Sequence, residues 1–344
     1  MGRSVSEENV AKLAQAGFAS NPVVVLGSGA SAPHGLPSMS TLKDYLIEKV
    51  SPASDDEEAG WKAVTDAFTA GEHLEQALTG KALPATLTRK IVQHTWNCIN
   101  NADRILFSKA LRSEEEFPLA RLVNALFGSS QKSIDIVTTN YDRVVEYACN
   151  SGGALHSVGF TPGYLQRREG SDPISFVQNG KTLRNVRIWK VHGSLDWFER
   201  DDSTTLSAPV FDLPETGLTP LIVTPGFNKY ERTHDEPFRS AIQGADRALE
   251  LANAYLCIGF GFRDSHIQPK ILERCRLKAV PVVVIARTLT DEAKSFLLAK
   301  AGPQFLGIEH CATGSRAYYQ AEPDGIDIPN VDWWSVDGFL KLVT

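Results

Sequence analysis

Five short apolar runs rich in Val and Ile, at residues 23–26, 133–137, 186–191, 254–259 and 280–285, alternate with segments of helical spacing. Runs of this length, mostly apolar and carrying β-branched residues, fit central strands covered on both faces. Strands alternating with helices predict an α/β chain built on a doubly wound parallel sheet. Open sheets of that kind take their ligands beyond the carboxyl ends of the strands. The residues that follow each run are therefore where chemistry is expected.

The first run leads into Gly27-Ser28-Gly29-Ala30-Ser31, a turn without bulky side chains. Gly27 and Gly29 open backbone angles closed to other residues, and the small neighbours leave N–H groups approachable by a phosphate. A glycine pair alone is a weak signal, equally an ordinary strand-to-loop turn. The next two runs end in Thr138-Thr139-Asn140-Tyr141-Asp142 and in His192-Gly193-Ser194. The fourth ends in Gly259-Phe260-Gly261-Phe262-Arg263-Asp264. Asn140 accepts and donates hydrogen bonds without a charge, and a cap on the following helix is the plainer use for it. His192 can take a proton near neutral pH, and of the eight histidines it alone directly terminates an expected central strand.

With 344 residues, 42% of them hydrophobic, the chain is long enough for one large domain spanning 1–344 or a domain with an insertion. The insertion is expected at 51–116. It opens on Asp55-Asp56-Glu57-Glu58 and continues all-helical, with apolar positions Ala63, Val64, Ala67 and Phe68, then Leu74, Ala77 and Leu78, then Ile91, Val92 and Thr95. Those stripes read as sealing the insertion against its parent domain; a role in assembly or in closing over the site is the sharper expectation.

Lys and Arg total 35 against 41 Asp and Glu, a net charge of -6, so direct nucleic-acid binding is not expected. Five widely spaced cysteines without a Cys-x-x-Cys pair read as reduced thiols. No spaced His or Cys cluster suggests a metal. Nor does any apolar run approach the roughly 18 residues of a membrane span, so a soluble, cytoplasmic protein is expected.

The four strand ends, in this order, resemble those of the sirtuin-like superfamily: a glycine loop, a Thr-x-Asn-x-Asp segment, a His-Gly and a late glycine turn. The resemblance covers most of the chain from Val23 to about Ile285, apart from the helical insertion and the C-terminal tail. It implies a Rossmann-like, sirtuin-like fold around one NAD+ molecule. Gly27, Ser28, Gly29, Ala30, Ser31, Thr139, Asp142, Gly193, Ser194, Gly259, Phe260 and Asp264 would bind NAD+, and Asn140 and His192 would be catalytic. Asp142 would support nicotinamide or loop geometry. Asp264 has two readings, holding adenosine-ribose hydroxyls or capping the next helix.

Deacylase sirtuins carry a four-cysteine zinc module after the histidine, and 191–224 here contains no cysteine. The pattern is closer to bacterial sirtuin-like NAD+ hydrolases of antiphage defence. That implies NAD+ cleavage to nicotinamide and ADP-ribose, abortive infection, a homo-oligomer and a HerA-like ATPase partner. A protein deacylase or ADP-ribosyltransferase, or a non-catalytic NAD- or ADP-ribose-binding regulator, are the alternatives.

Overall fold

The computed structural model describes residues 5–72, 74–128, 130–168, 173–214, 216–224 and 235–344. The turn expected at Pro225-Gly226 lies outside them. In chain order the strands are β1 (Val23–Leu26), β2 (Ser133–Thr138), β3 (Leu155–Ser157), β4 (Gln166–Arg167), β5 (Val177–Gln178), β6 (Lys181–Thr182), β7 (Asn185–Lys190) and β8 (Gly193–Arg200). They continue as β9 (Thr205–Ser207), β10 (Leu218–Ile222), β11 (Tyr255–Ile258), β12 (Val282–Ala286), β13 (Phe305–Cys311), β14 (Gly314–Tyr319) and β15 (Glu322–Pro329).

A nine-stranded sheet runs β15-β14-β13-β12-β11-β1-β2-β7-β3 and is parallel from β13 to β3. All five apolar runs lie in it. Their period-two alternation sends side chains to opposite faces. Val24, Leu26, Ile136, Ile188, Ile258 and Ile285 enter one cluster, under the helices Val5–Ala19, Pro118–Leu126, Val144–Ser151 and Val336–Val343. Val23, Val25, Val137, Cys257, Val282 and Val284 enter the other, under Phe238–Leu251, Ile267–Leu277 and Asp291–Ala299. Each fully buried aliphatic side chain contributes about 1.5–3 kcal/mol, so both layers are firmly held.

Two parts of the architecture go beyond the expected alternation. The C-terminal tail adds β14 and β15 antiparallel to the sheet edge. The stretch after His192 forms β8, which pairs antiparallel with β9 and β10 in a separate four-stranded sheet β10-β8-β9-β4. The strand expected at 221–223 thus belongs to this small sheet. Its inner side packs Phe160, Trp197, Leu221, Val223 and Phe238 together.

Between 51 and 116 the described residues are helical, as Asp55–Thr69, Leu74–Leu78 and Ala85–Leu111. The last of these serves two cores. Leu87, Ile91 and Cys98 close a local cluster with Leu42, Leu46, Trp61, Val64 and Phe68. Val92, Trp96, Ile99 and Leu106 enter the main cluster, and the Trp96 indole N–H donates to the Leu195 carbonyl at 2.9 Å. The expected sealing role thus falls to this helix, while the shorter helices mostly pack on each other.

Helix Asp55–Thr69 starts on a reciprocal cap, Ser54 accepting from the Glu57 N–H at 3.3 Å and Glu57 accepting from the Ala53 N–H at 2.8 Å. Lys90 from the long helix donates to the same carboxylate at 2.7 Å. These bonds, Lys90 first, lower the Glu57 carboxyl from 4.5 to about 2. A depressed carboxylate stabilises the fold fully above its unfolded value and loses that contribution as pH falls through the folded one. Glu57→Gln is therefore expected to melt below the parent protein near neutral pH, with the gap closing as pH falls toward about 2. A gap that stays constant in melting curves across that range would show the ionised pair adds nothing.

Candidate functional site

Register places the four strand ends side by side. Leu26 pairs with Ile258 on one flank and with Thr138 on the other, and Thr138 pairs with Lys190. Gly27 and Gly259 therefore each follow a paired residue by one position, and Asn140 and His192 each follow a paired residue by two. This is the carboxyl edge of adjacent parallel strands, where open α/β sheets bind ligands. Backbone bonds hold the ends together: Val191 N–H to Thr138 O at 3.1 Å, Leu195 N–H to Tyr141 O at 2.9 Å and Val223 N–H to His192 O at 2.8 Å. The Tyr141 hydroxyl donates to Val223 O at 2.6 Å.

The glycines here have a packing reason that the sequence did not disclose. A Cβ on Gly27 would lie 2.4 Å from the Gly259 carbonyl oxygen, and one on Gly29 would lie 2.7 Å from Gly259 Cα. Two loops are thus pressed backbone to backbone. Three of the turn's N–H groups are also engaged, so they are not the open amides expected for an anion. Gly27 donates to Ile258 O at 3.1 Å, Gly29 to Gly259 O at 3.2 Å and Ala30 to Gly27 O at 3.0 Å. Ser28 and Gly29 are the exposed members of the turn, while Ala30 and Ser31 are buried.

Asn140 is fixed by its amide group. Its Nδ2 donates to Gly27 O at 2.9 Å and to Ser31 Oγ at 3.0 Å, which leaves Oδ1 as its uncommitted acceptor among the described residues. The capping role considered for it falls to Asp142, whose Oδ1 accepts from the Val144 N–H at 3.1 Å at the start of helix Val144–Ser151. The Ser31 hydroxyl also bonds to Asp142. Burial pushes the Asp142 carboxyl up to about 6, against Lys190 and Ser31, which pull it down. Asn140, Ser31 and Asp142 form one chain of hydrogen bonds beneath the glycine turn.

His192 is half-buried, and its Nε2 lies 3.0 Å from Asp264 Oδ2 without hydrogen-bond alignment. Of the two readings for Asp264, helix capping is present: Oδ1 accepts from the His266 and Ile267 N–H groups, each at 2.9 Å. Its other oxygen faces the histidine, a pairing not foreseen. Thr139 and Gly193 also lie at this edge. Gly193 has φ +91, and a Cβ there would meet Leu221 O at 2.1 Å.

Two expected site residues lie elsewhere. Phe260 is a core ring, 4.9 Å from Phe262 in edge contact. Ser194 is buried and lines a pocket with Arg143, Glu146 and Asp196.

Beneath the edge sits a charged layer absent from the sequence reading. Lys190, fully buried, donates to the Asp142 carbonyl and to Glu146 Oε1. Arg143 lies 3.3 Å from both Asp103 and Asp196, and Tyr147 donates to Asp103 at 2.6 Å. A lysine inside a mostly apolar run, two residues before His192, was the available signal. Among the described residues no group of three or more His, Cys, Asp or Glu could hold a metal ion, and no helix is long and apolar enough to cross a membrane. Burial pushes the Cys98 and Cys275 thiols up to about 11 and Cys149 to about 12, which keeps them protonated.

Residues 135–278, which carry three of the four strand ends, match the family model described as SIR2-like domain. That stretch is thus similar to a SIR2-like domain. The glycine turn of β1 precedes the matched residues but abuts them through Gly259. Similar solved structures include a Sir2 enzyme studied for mechanism and regulation, at 12% identity and a TM-score of 0.46, covering 99% of this chain and 96% of that one. A Sir2 homologue mutant in complex with ADP-ribose is similar at 15% identity and 0.43, covering 82% and 86%. A Sir2 homologue in complex with NAD is similar at 14% identity and 0.39, covering 85% and 86%. No curated protein matches the chain.

Proposed function

We propose that this SIR2-like domain is an NAD+ glycohydrolase that releases nicotinamide and leaves ADP-ribose. The observation that carries the reading is the convergence of Asn140, His192 and the glycine turn on one strand-end edge, with Asp264 against the histidine. The nicotinamide of NAD+ is a cationic leaving group that departs neutral, so no acid has to protonate it. This chemistry needs one base and a polar orienting group where an ordinary glycosidase needs two carboxylates.

With Nε2 facing the Asp264 carboxylate, Nδ1 is the nitrogen left to take a proton from water or a ribose hydroxyl. Asn140 has its Nδ2 spent on Gly27 and Ser31, so Oδ1 is positioned by two bonds to accept from that water or hydroxyl. The exposed Ser28 and Gly29 would face the pyrophosphate. By the resemblance a deacylase would carry a cysteine module in the stretch after the histidine, and 191–224 here has no cysteine and forms strands of the small antiparallel sheet, which favours water over an acyl-lysine peptide as co-reactant. By the resemblance, the setting is antiphage defence by NAD+ depletion, with self-assembly and a HerA-like ATPase as partner.

Incubating the purified protein with NAD+ alone and separating the products tests this directly. Nicotinamide and ADP-ribose in equal amounts are expected. Turnover only with an acylated peptide would replace the reading with a deacylase, and binding without turnover under all conditions would replace it with a regulator.

A further inference from the structure

Behind the strand-end edge, on the far side of Lys190, lies a second pocket of ≈ 180 Å³ between helix Val144–Ser151, β3, β8 and β9. Its mouth is at the exposed Asn150 and Pro209, and its walls include the rings of Phe107, Tyr147, Trp197 and Phe211. Two carboxylates line it. Glu146 is 8% exposed; its Oε1 accepts from Lys190 at 2.8 Å, whereas Oε2 is buried with no hydrogen-bond partner among the described residues. Asp196 Oδ1 is also buried and makes no aligned hydrogen bond, its nearest cation being Arg143 at 3.3 Å.

An unsatisfied buried carboxylate oxygen costs free energy unless a donor or cation reaches it. The cations present are committed. Arg143 also serves Asp103 and donates to Asn100 at 3.0 Å, and Lys190 holds Glu146 and the Asp142 carbonyl. Asp103, Glu146 and Asp196 thus face only Arg143 and Lys190, and burial lowers the pKa of His156 on the pocket wall, favouring its neutral form. The uncompensated charge is negative, which suits a cation and disfavours an anion. Aromatic walls add attraction for a positive head and cover an apolar body. A cavity of about 150 Å³ takes benzene, so the volume fits a single ring.

We propose that this pocket binds a small amine carried on one ring, its ammonium lying between Glu146 Oε2 and Asp196 Oδ1. Lys190 joins Glu146 to the Asp142 backbone, so an occupant there touches the support of the strand-end edge. The proposal stands apart from NAD+ cleavage and is tested without it.

Benzylamine is the probe and benzyl alcohol its neutral isostere, titrated into the full chain by calorimetry. Saturable binding of benzylamine with Kd on the order of 1 mM or tighter is expected, with benzyl alcohol about tenfold weaker or worse. Glu146→Gln keeps an oxygen for Lys190, and Asp196→Asn keeps the side-chain shape; each is expected to weaken benzylamine about tenfold, with melting curves confirming folded variants. Absence of saturable binding to the parent protein would overturn the proposal. So would equal binding of the alcohol, undiminished binding to both variants, or competition by NAD+, which would place the probe in the other site.

Discussion

His192→Ala and Asn140→Ala are each expected to lower NAD+ cleavage by roughly a hundredfold or more while NAD+ still binds, because in the proposed hydrolysis both groups act mainly in the transition state. His192→Ala removes the base and leaves the loop fold intact, since the backbone carbonyl that holds Val223 stays in place. Asn140→Ala removes the acceptor oxygen and also releases Gly27 O and Ser31, so a modest loss of affinity should accompany the loss of turnover. Asp264→Asn keeps an acceptor for the helix cap but removes the charge 3.0 Å from His192. As a positioning residue it should cost less, about tenfold, in turnover with calorimetric NAD+ affinity unchanged. Near-normal cleavage by His192→Ala with calorimetric NAD+ affinity unchanged would remove the base assignment from His192 and require another group to serve as base.

A large effect on folding is expected at Gly259. Its φ is +58, and a Cβ there would sit 2.4 Å from Gly29 C and 2.5 Å from Ala30 N, all backbone. Backbone cannot step aside as a flexible side chain would, so left-handed strain and overpacking add, for about 2–5 kcal/mol with Ala and more with Val. Gly35→Ala is the control: φ is +82 there but nothing lies within 4 Å, so strain alone, about 1 kcal/mol, is expected. Gly29→Val, with ordinary φ and Gly259 Cα at 2.7 Å, should fall between them. Denaturation midpoints order the series. A Gly259→Ala protein no less stable than Gly35→Ala would mean the two loops are not in contact.

The strand ends were legible because chemistry at the edge of a parallel sheet is written as contiguous polar residues after an apolar run. Asn140, Asp142, His192 and Asp264 stand out in the sequence that way, and the fold brings them to one edge. Contiguity also misled. The left-handed backbone at Gly193, φ +91, redirects the chain so that Ser194 lines the rear pocket, and the turn after β11 rotates Phe260 into the core beside Phe262. β8 was hidden because the chain re-enters a strand at Gly193 with no turn signal beyond that one glycine. The antiparallel β14 and β15 carry too few consecutive apolar residues to read as strands, being edge elements with polar faces. Asp103 and Arg143 are far apart in sequence, and no periodicity announces a buried pair at that separation.

The helix Ala85–Leu111, which places Ile91 in one cluster and Trp96 in another, makes the two cores a single cooperative unit. Excising 51–116 would not trim a loop; it would strip a wall from the sheet and leave Asp103 absent beneath Arg143. For the same reason, a force or a bound partner acting on the outer helices has a stiff route to the residues under Asn140 and His192. Heat should therefore dissolve the insertion and the sheet in one transition, with hydrogen exchange in Ala85–Leu111 as slow as in β1.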